Sequence, residues 1–359
     1  MPSVPPNADS KFCNSPEQLK LLSVKAVLVR NFYGMKMTVS LALFRGAGIL
    51  GFFLLGFSSS SAATPLTLPA ETPAILEKIY SFDLDGAQEA ARQLQKARPN
   101  HPIGYLLESE AIWWRFWCTA AEFKYGMSDA RRRSKLPSDQ HYLELATTTS
   151  SLAATQIQKA DSAEMQLYAG MADAASARLY ALRGENRNAA RFGVRAREHF
   201  LRAKTLDPGL ADADFGLGLY NYYVDTLSAI AKIMRFFMGI PGGSKQEGIR
   251  LLEHAIADGV LTPHIARFYL AMNLHRYDQQ YERALGIITP LAEKYPSNPL
   301  FQLARGDLYA KLGHKQQALL CYRAAAALPV HDAVCQTRIQ GLLRAAITAL
   351  GLPHEPASS

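Results

Sequence analysis

Apolar residues recur at helical spacing along most of the chain, and in its last third small and large ones follow one another in a fixed order. Ala284 stands four residues before Ile288 and Ala318 four before Tyr322, with the two alanines 34 residues apart. Residues four apart share one face of a helix. Each pair therefore marks a helix whose small residue admits a close neighbour and whose large residue fills the space beyond it. A capping residue followed by Pro, Thr262-Pro263 and Asn298-Pro299, opens the helix before each pair. The pattern predicts two helical hairpins over 262–330. It also predicts an apolar capping helix over 333–350, stacked on their exposed end, and a disordered tail over 351–359.

Upstream the pattern continues, but stretched. Thr72-Pro73 opens a hairpin marked by Leu76, Ile79 and Tyr80, then Ala87, Ala91 and Leu94. A helix from about Pro102 to Tyr125 carries Trp113, Trp114, Phe116 and Trp117 on more than one face, which requires burial on two sides or an aromatic patch open to a membrane or partner. Residues 126–138, with Arg131, Arg132 and Arg133, read as a solvated connection. Asp161 with Glu164 three residues on reads as a capping box. From Gly170 to Ala196 is 26 residues, where the regular hairpin needs 12, as from Gly306 to Ala318. The excess is about two further turns on each helix, joined at Gly184-Glu185-Asn186. From Gly218 to Gly248 is 30 residues, an insertion of 18. Within it Leu227, Ile230, Ile233, Met234, Phe237 and Met238 alternate with Lys232 and Arg235, and Pro241-Gly242-Gly243 ends the helix. A basic amphipathic helix of this kind is either a lid packed across the hairpins or a membrane-surface element.

Set in register, the first regular hairpin supplies Phe268, Ala284, Ile288 and Pro296, and the second Gly306, Tyr309, Ala318 and Tyr322, with Pro329 one residue early. Met272 and His275 depart from the pattern in the first, Gln302 and Arg305 in the second. On these residues the chain resembles the tetratricopeptide-repeat (TPR) family, over 262–330 most clearly and in modified form across 72–350. The resemblance implies an all-α fold of antiparallel hairpins stacked as a right-handed superhelix, an α-solenoid. It also implies a concave face, lined by the first helix of each hairpin, that binds protein or extended peptide. Carried onto the matching positions, that lining is Phe215, Leu219, Tyr222 and Tyr223, then Tyr269, Asn273 and Arg276, then Leu303, Asp307 and Lys311. Only Asn273 occupies a place used by the carboxylate-clamp form of the family, so binding of chaperone tails is not implied.

Charge alters this picture less than the total suggests. Of the 39 basic and 31 acidic residues, six and two lie in the first 63, so the remainder holds 33 against 29, or +4 of the full +8. A nucleic-acid partner is not indicated. Met35 or Met37, Lys36 and Arg45 precede an apolar run from Gly46 to Phe57 and small residues through Ala63. This order predicts an export signal over 35–63, or an uncleaved N-terminal membrane anchor. Residues 1–34 read as an unstructured leader ahead of a start assigned too early, which N-terminal sequencing of the mature protein decides, and 64–71 as a linker. Three cysteines follow the signal, and Cys321 and Cys335 fall on helices expected to face each other.

No catalytic constellation emerges. PGGSK lacks the order of a phosphate loop, no His or Cys spacing suits a metal, and Glu198-His199 and Glu253-His254 are neighbours that diverge on a helix. His275 reads as a packed aromatic replacement. The sequence thus predicts a non-enzymatic scaffold of the cell envelope that uses no cofactor and binds a protein or extended peptide. The alternative is a membrane-surface protein docking through 227–240 or the Trp113–Trp117 cluster.

Overall fold

The computed structural model describes residues 66–120, 135–237 and 239–351. The leader, the export signal and the arginine run at 131–133 lie outside the described residues. Among the described residues every regular element is helical. In chain order these are α1 (Thr72–Tyr80), α2 (Leu84–Ala97), α3 (Ile103–Ala120), α4 (Ser138–Lys159), α5 (Ala163–Arg183), α6 (Asn186–Leu206) and α7 (Ala211–Thr226). They continue as α8 (Ala229–Phe237), α9 (Lys245–Asp258), α10 (Pro263–Asn273), α11 (Tyr281–Lys294), α12 (Pro299–Lys311), α13 (Lys315–Ala327) and α14 (Ala333–Ala349), with a π-helical turn, Leu274–Asp278, between α10 and α11. None of the described helices is long and apolar enough to cross a membrane.

The helix starts follow from local chemistry. Asn298 accepts from the backbone N–H groups of Leu300 and Phe301, and Pro299 takes the first turn of α12 where its missing N–H costs nothing. Ser244 caps α9 and Asp332 caps α14 in the same way. The capping box expected at Asp161 begins one residue later. Ser162 accepts from Met165 N, Glu164 instead receives the Tyr168 hydroxyl at 2.9 Å, and Asp161 is held by Gln166 and Arg202. The lengthened hairpin is present as α5 and α6, each 21 residues, turned at Gly184 with φ 81°.

Helices adjacent in sequence are packed neighbours, with α8 set in the connection between α7 and α9. Small residues set how close they come. The Phe200 ring of α6 sits in a slot between Gly170 of α5 and Gly216 of α7, where a Cβ would fall 2.7 Å and 2.0 Å from the ring. Any side chain at either glycine would force the three helices apart.

The decisive contacts are not between sequence neighbours. Trp113, Trp114, Phe116 and Trp117 of α3 are all buried. Trp114 meets Phe268 of α10 at 4.9 Å and Phe301 of α12 at 5.4 Å between ring centres. Trp117 meets Phe268 at 5.2 Å, and the Trp113 indole N–H donates to the Tyr269 hydroxyl at 3.0 Å. Beside them Asn298 Nδ2 donates to the Tyr80 carbonyl at 2.9 Å, joining α12 to α1. The aromatic cluster is therefore core, and its rings do not form an exposed patch.

The same closure involves the C-terminal helix and the cysteines. Helix α14 packs on the last hairpin, α13 and α12, and also on α3. Cys335 of α14 consequently pairs with Cys118 of α3, with Cα atoms 5.3 Å apart, while Cys321 stays a buried thiol 3.3 Å from Arg305 Nε. The bridge spans 217 residues of chain. A closed loop of more than about 100 residues stabilises by roughly 4–5 kcal/mol on the chain-entropy account. Reductant, or Cys118→Ser, should lower the denaturant midpoint by a corresponding amount, whereas Cys321→Ser should lower it much less. A midpoint insensitive to reductant in the wild-type protein would refute the pairing.

Candidate functional site

The described surface departs from regular helix geometry most clearly where α10 widens into the π-helical turn. Turns of this kind add one residue to the helix and re-aim the side chains that follow. Here Tyr277 is left 40% exposed, Asp278 is returned to α7, and Gln279 takes the left-handed region at φ 54°. The residues under the turn come from the end of α7 and the start of α9.

Asp278 joins the three elements. Its Oδ2 accepts from the Tyr222 hydroxyl at 2.7 Å, and its Oδ1 pairs with the Lys245 ammonium, which also lies 5.7 Å from the Tyr222 ring. Burial, with Asp278 beside it, raises the Tyr222 pKa, so the hydroxyl stays a donor. Tyr223 donates to Asn273 Oδ1 at 3.1 Å. The Asn273 Nδ2 group is buried and has no hydrogen-bond partner, a donor left unused at a cost of about 1–3 kcal/mol. Tyr277 closes the cluster, with its ring 6.0 Å from Tyr222 and 6.4 Å from Tyr223 and the Arg276 guanidinium 4.8 Å above it.

The ten residues expected to line a groove are thus divided. Tyr222, Tyr223, Asn273 and Arg276 are brought together at the π-helical turn. Phe215, Tyr222, Tyr269, Asn273 and Leu303 are buried, Tyr269 beneath Trp113 and Trp117. Leu219 is half-buried against the core, and Asp307 accepts the Tyr322 hydroxyl at 2.6 Å. Lys311 is exposed. The expected lining is therefore covered by α3 at Tyr269, and four of its residues meet at the π-helical turn, where Tyr277 is exposed. Lys245, Tyr277 and Asp278 were not expected there. The sequence signal was the departure at Met272 and His275, which marks where the helix stops following the regular repeat.

The insertion is fastened at its base. Tyr220 donates to the Pro241 carbonyl at 2.9 Å, Asp225 accepts from Lys245 N at 2.9 Å, and Lys232 pairs with Asp225 at 3.0 Å. Phe236 on α8 is 76% exposed. Beneath the site lies a second polar group, Glu110 paired with Arg178, whose guanidinium also meets the Tyr142 hydroxyl at 2.7 Å and stacks 4.5 Å from the Trp113 ring. It satisfies a charge inside the aromatic core and offers no reactive geometry. Among the described residues no group of three His, Cys, Asp or Glu could hold a metal ion.

With this geometry established, comparison with known proteins adds no assignment: no family model matches the chain, and no curated protein matches it.

His275, the residue expected to pack, is buried 5.6 Å from the Tyr281 ring, and burial together with the charge of Lys311 holds its pKa down to about 4. Its folded form stays neutral while the unfolded form titrates near 6.5. Stability from this residue is therefore complete above about pH 6.5 and falls as the pH drops towards 4, by an amount on the order of 3 kcal/mol. Asp173 acts in the opposite sense. Burial outweighs its pairing with Arg195 and raises its pKa to about 6, so its contribution is greatest in acid and declines as the pH rises through 6. His275→Phe should leave stability at pH 7 nearly unchanged and flatten its decline between pH 6.5 and 4. An unaltered slope in denaturation at those pH values would show that His275 is not neutral in the fold.

Proposed function

We propose that this chain is an exported, TPR-like helical-repeat adaptor without catalytic activity, which holds an extended segment of an envelope protein at the edge of its inner face. The observation that carries the reading is the cluster of Tyr223, Arg276 and Tyr277 beside the unused amide of Asn273. Rings supply apolar area at small entropic cost, and an amide N–H with no partner is complementary to a peptide carbonyl. The all-helical array supports the TPR resemblance, for which a right-handed superhelix is the corresponding geometry. Pairing of Cys118 with Cys335 supports export, since such bridges persist in oxidising compartments.

A second reading places the protein on a membrane surface through α8. It is favoured by Phe236, 76% exposed, and Leu227, 39% exposed, beside Lys232 and Arg235. The two readings differ in what they need. Affinity capture from solubilised envelope should recover a partner with the wild type and lose it about tenfold or more with Arg276→Ala/Tyr277→Ala, since removing two interface contacts costs on the order of 2 kcal/mol. Equal recovery by that variant would defeat the adaptor reading. Flotation with phosphatidylglycerol vesicles that disappears on Phe236→Ser would establish the second reading, and absence of flotation would remove it.

A further inference from the structure

Helix α6 has a charge distribution unlike the rest of the protein. It carries Arg187, Arg191, Arg195, Arg197, Arg202 and Lys204 against the single acid Glu198, six minus one or +5 in 21 residues, although the chain after the leader totals only +4. At 100° per residue Arg187, Arg191, Arg195, Arg197 and Arg202 fall in the half of the helix opposite its buried side chains Ala196, Phe200 and Ala203, and Lys204 lies at the border. Three of them are neutralised: Arg195 by Asp173 at 3.0 Å, Arg202 by Asp161 at 2.7 Å and Lys204 by Asp214 at 2.9 Å. Arg187, Arg191 and Arg197 have no carboxylate partner among the described residues. Arg191 and Arg197 instead lie over the Phe192 and Tyr220 rings at 5.2 and 5.4 Å.

A solvated charged face would end there, but this one borders a cleft. Between α6, α7 and α9 lies an open cleft of about 440 Å³ lined by the apolar Leu201, Leu217 and Leu251 and by Arg197, with Arg250 already paired to Glu247 at 2.6 Å. The buried Asp214 at its side is already saturated by Lys204 and by His254 Nδ1 at 2.6 Å, so it adds no unpaired negative charge. Leu201 at the cleft is 40% exposed and Leu206 beyond it 37%.

We infer that the outer face of α6 and this adjoining cleft form a docking surface for an acidic segment of another protein, in which carboxylates alternate with apolar side chains. The carboxylates meet the unpaired guanidinium groups, where Arg offers paired donors to each. The apolar side chains enter the cleft. A lipid surface fits less well, because it is flat and would require an apolar band where α6 offers two separated leucines. A single-stranded nucleic acid needs open rings on which to stack. Phe192 is already stacked on Tyr180 at 5.5 Å and the Tyr220 hydroxyl is bonded to Pro241. This surface is distinct from the π-helical turn, so either can fail without the other.

The test is fluorescence anisotropy of the full chain with a labelled peptide of repeating Glu-Glu-Leu, beside the Gln-Gln-Leu analogue, phosphatidylglycerol vesicles and oligo-dT. The expected result is binding of the Glu peptide alone, weakened by salt, and reduced at least tenfold by Arg187→Glu/Arg191→Glu/Arg197→Glu. The corresponding Arg→Gln triple variant, which keeps the side-chain size closer and adds no repulsion, should reduce it less but measurably; it decides the matter if the Glu variant fails to fold. Equal affinity for the Gln analogue, unchanged binding by the Gln variant, or tighter binding of vesicles or oligo-dT would each overturn the proposal.

Discussion

The structure depends on the seating of α3 against the inner face of the C-terminal hairpins. Three indoles and a phenylalanine on one helix cannot be hidden by its sequence neighbours alone, because they project in more directions than one partner covers. Burial of each large aromatic is worth roughly 2–3 kcal/mol, which favours any arrangement that brings a second wall to the helix. Phe268, Tyr269 and Phe301 supply that wall. Once it is in place α14 lies against α3, and the Cys118–Cys335 bridge covalently fixes a contact already made by packing.

The local structure was largely legible in the sequence. Helix starts at Pro263 and Pro299, the lengthened α5–α6 hairpin with its Gly184 turn, and the helix over Ala333–Ala349 all follow from caps, glycines and four-residue spacing. These signals act over one or two turns. What could not be read was any contact at a separation of 150 residues or more, such as Trp113 with Tyr269 or Cys118 with Cys335. Periodicity states that α3 has two apolar sides but not which helix covers the second. The same gap explains the candidate site. Asn273 ends α10 and Arg276 lies in the π-helical turn that follows it, yet the extra residue of that turn, which brings Tyr277 and Asp278 over α7, leaves no periodic mark beyond the misfit at Met272 and His275.

Closure of the inner face has a consequence for where binding can occur. In an open array of hairpins the inner strip is the natural site because it is concave and apolar. Here its central residues serve stability, with Tyr269 under two indoles and Leu303 buried. Polar groups held there are matched to one another, as Tyr222 is to Asp278 and Lys245. The unused, buried Asn273 amide is an exception in this inner cluster.

On the proposed reading, recognition falls to the parts that stability does not use. Extending α5 and α6 lengthens their mutual packing, but the outward half of α6 gains nothing from those turns, and it is this half that holds Arg187, Arg191 and Arg197 without carboxylate partners. Of the six like charges along the helix, Arg187 with Arg191 and Arg191 with Arg195 repel at i, i+4 spacing by about 0.2–0.5 kcal/mol per pair. Asp173, Asp161 and Asp214 relieve the repulsion for only three of them. A helix selected for stability alone would alternate its charges, as α9 does with Glu247 against Arg250 at 2.6 Å. The uncompensated half of α6 is therefore a cost borne in the free protein, and an acidic partner is what would remove it.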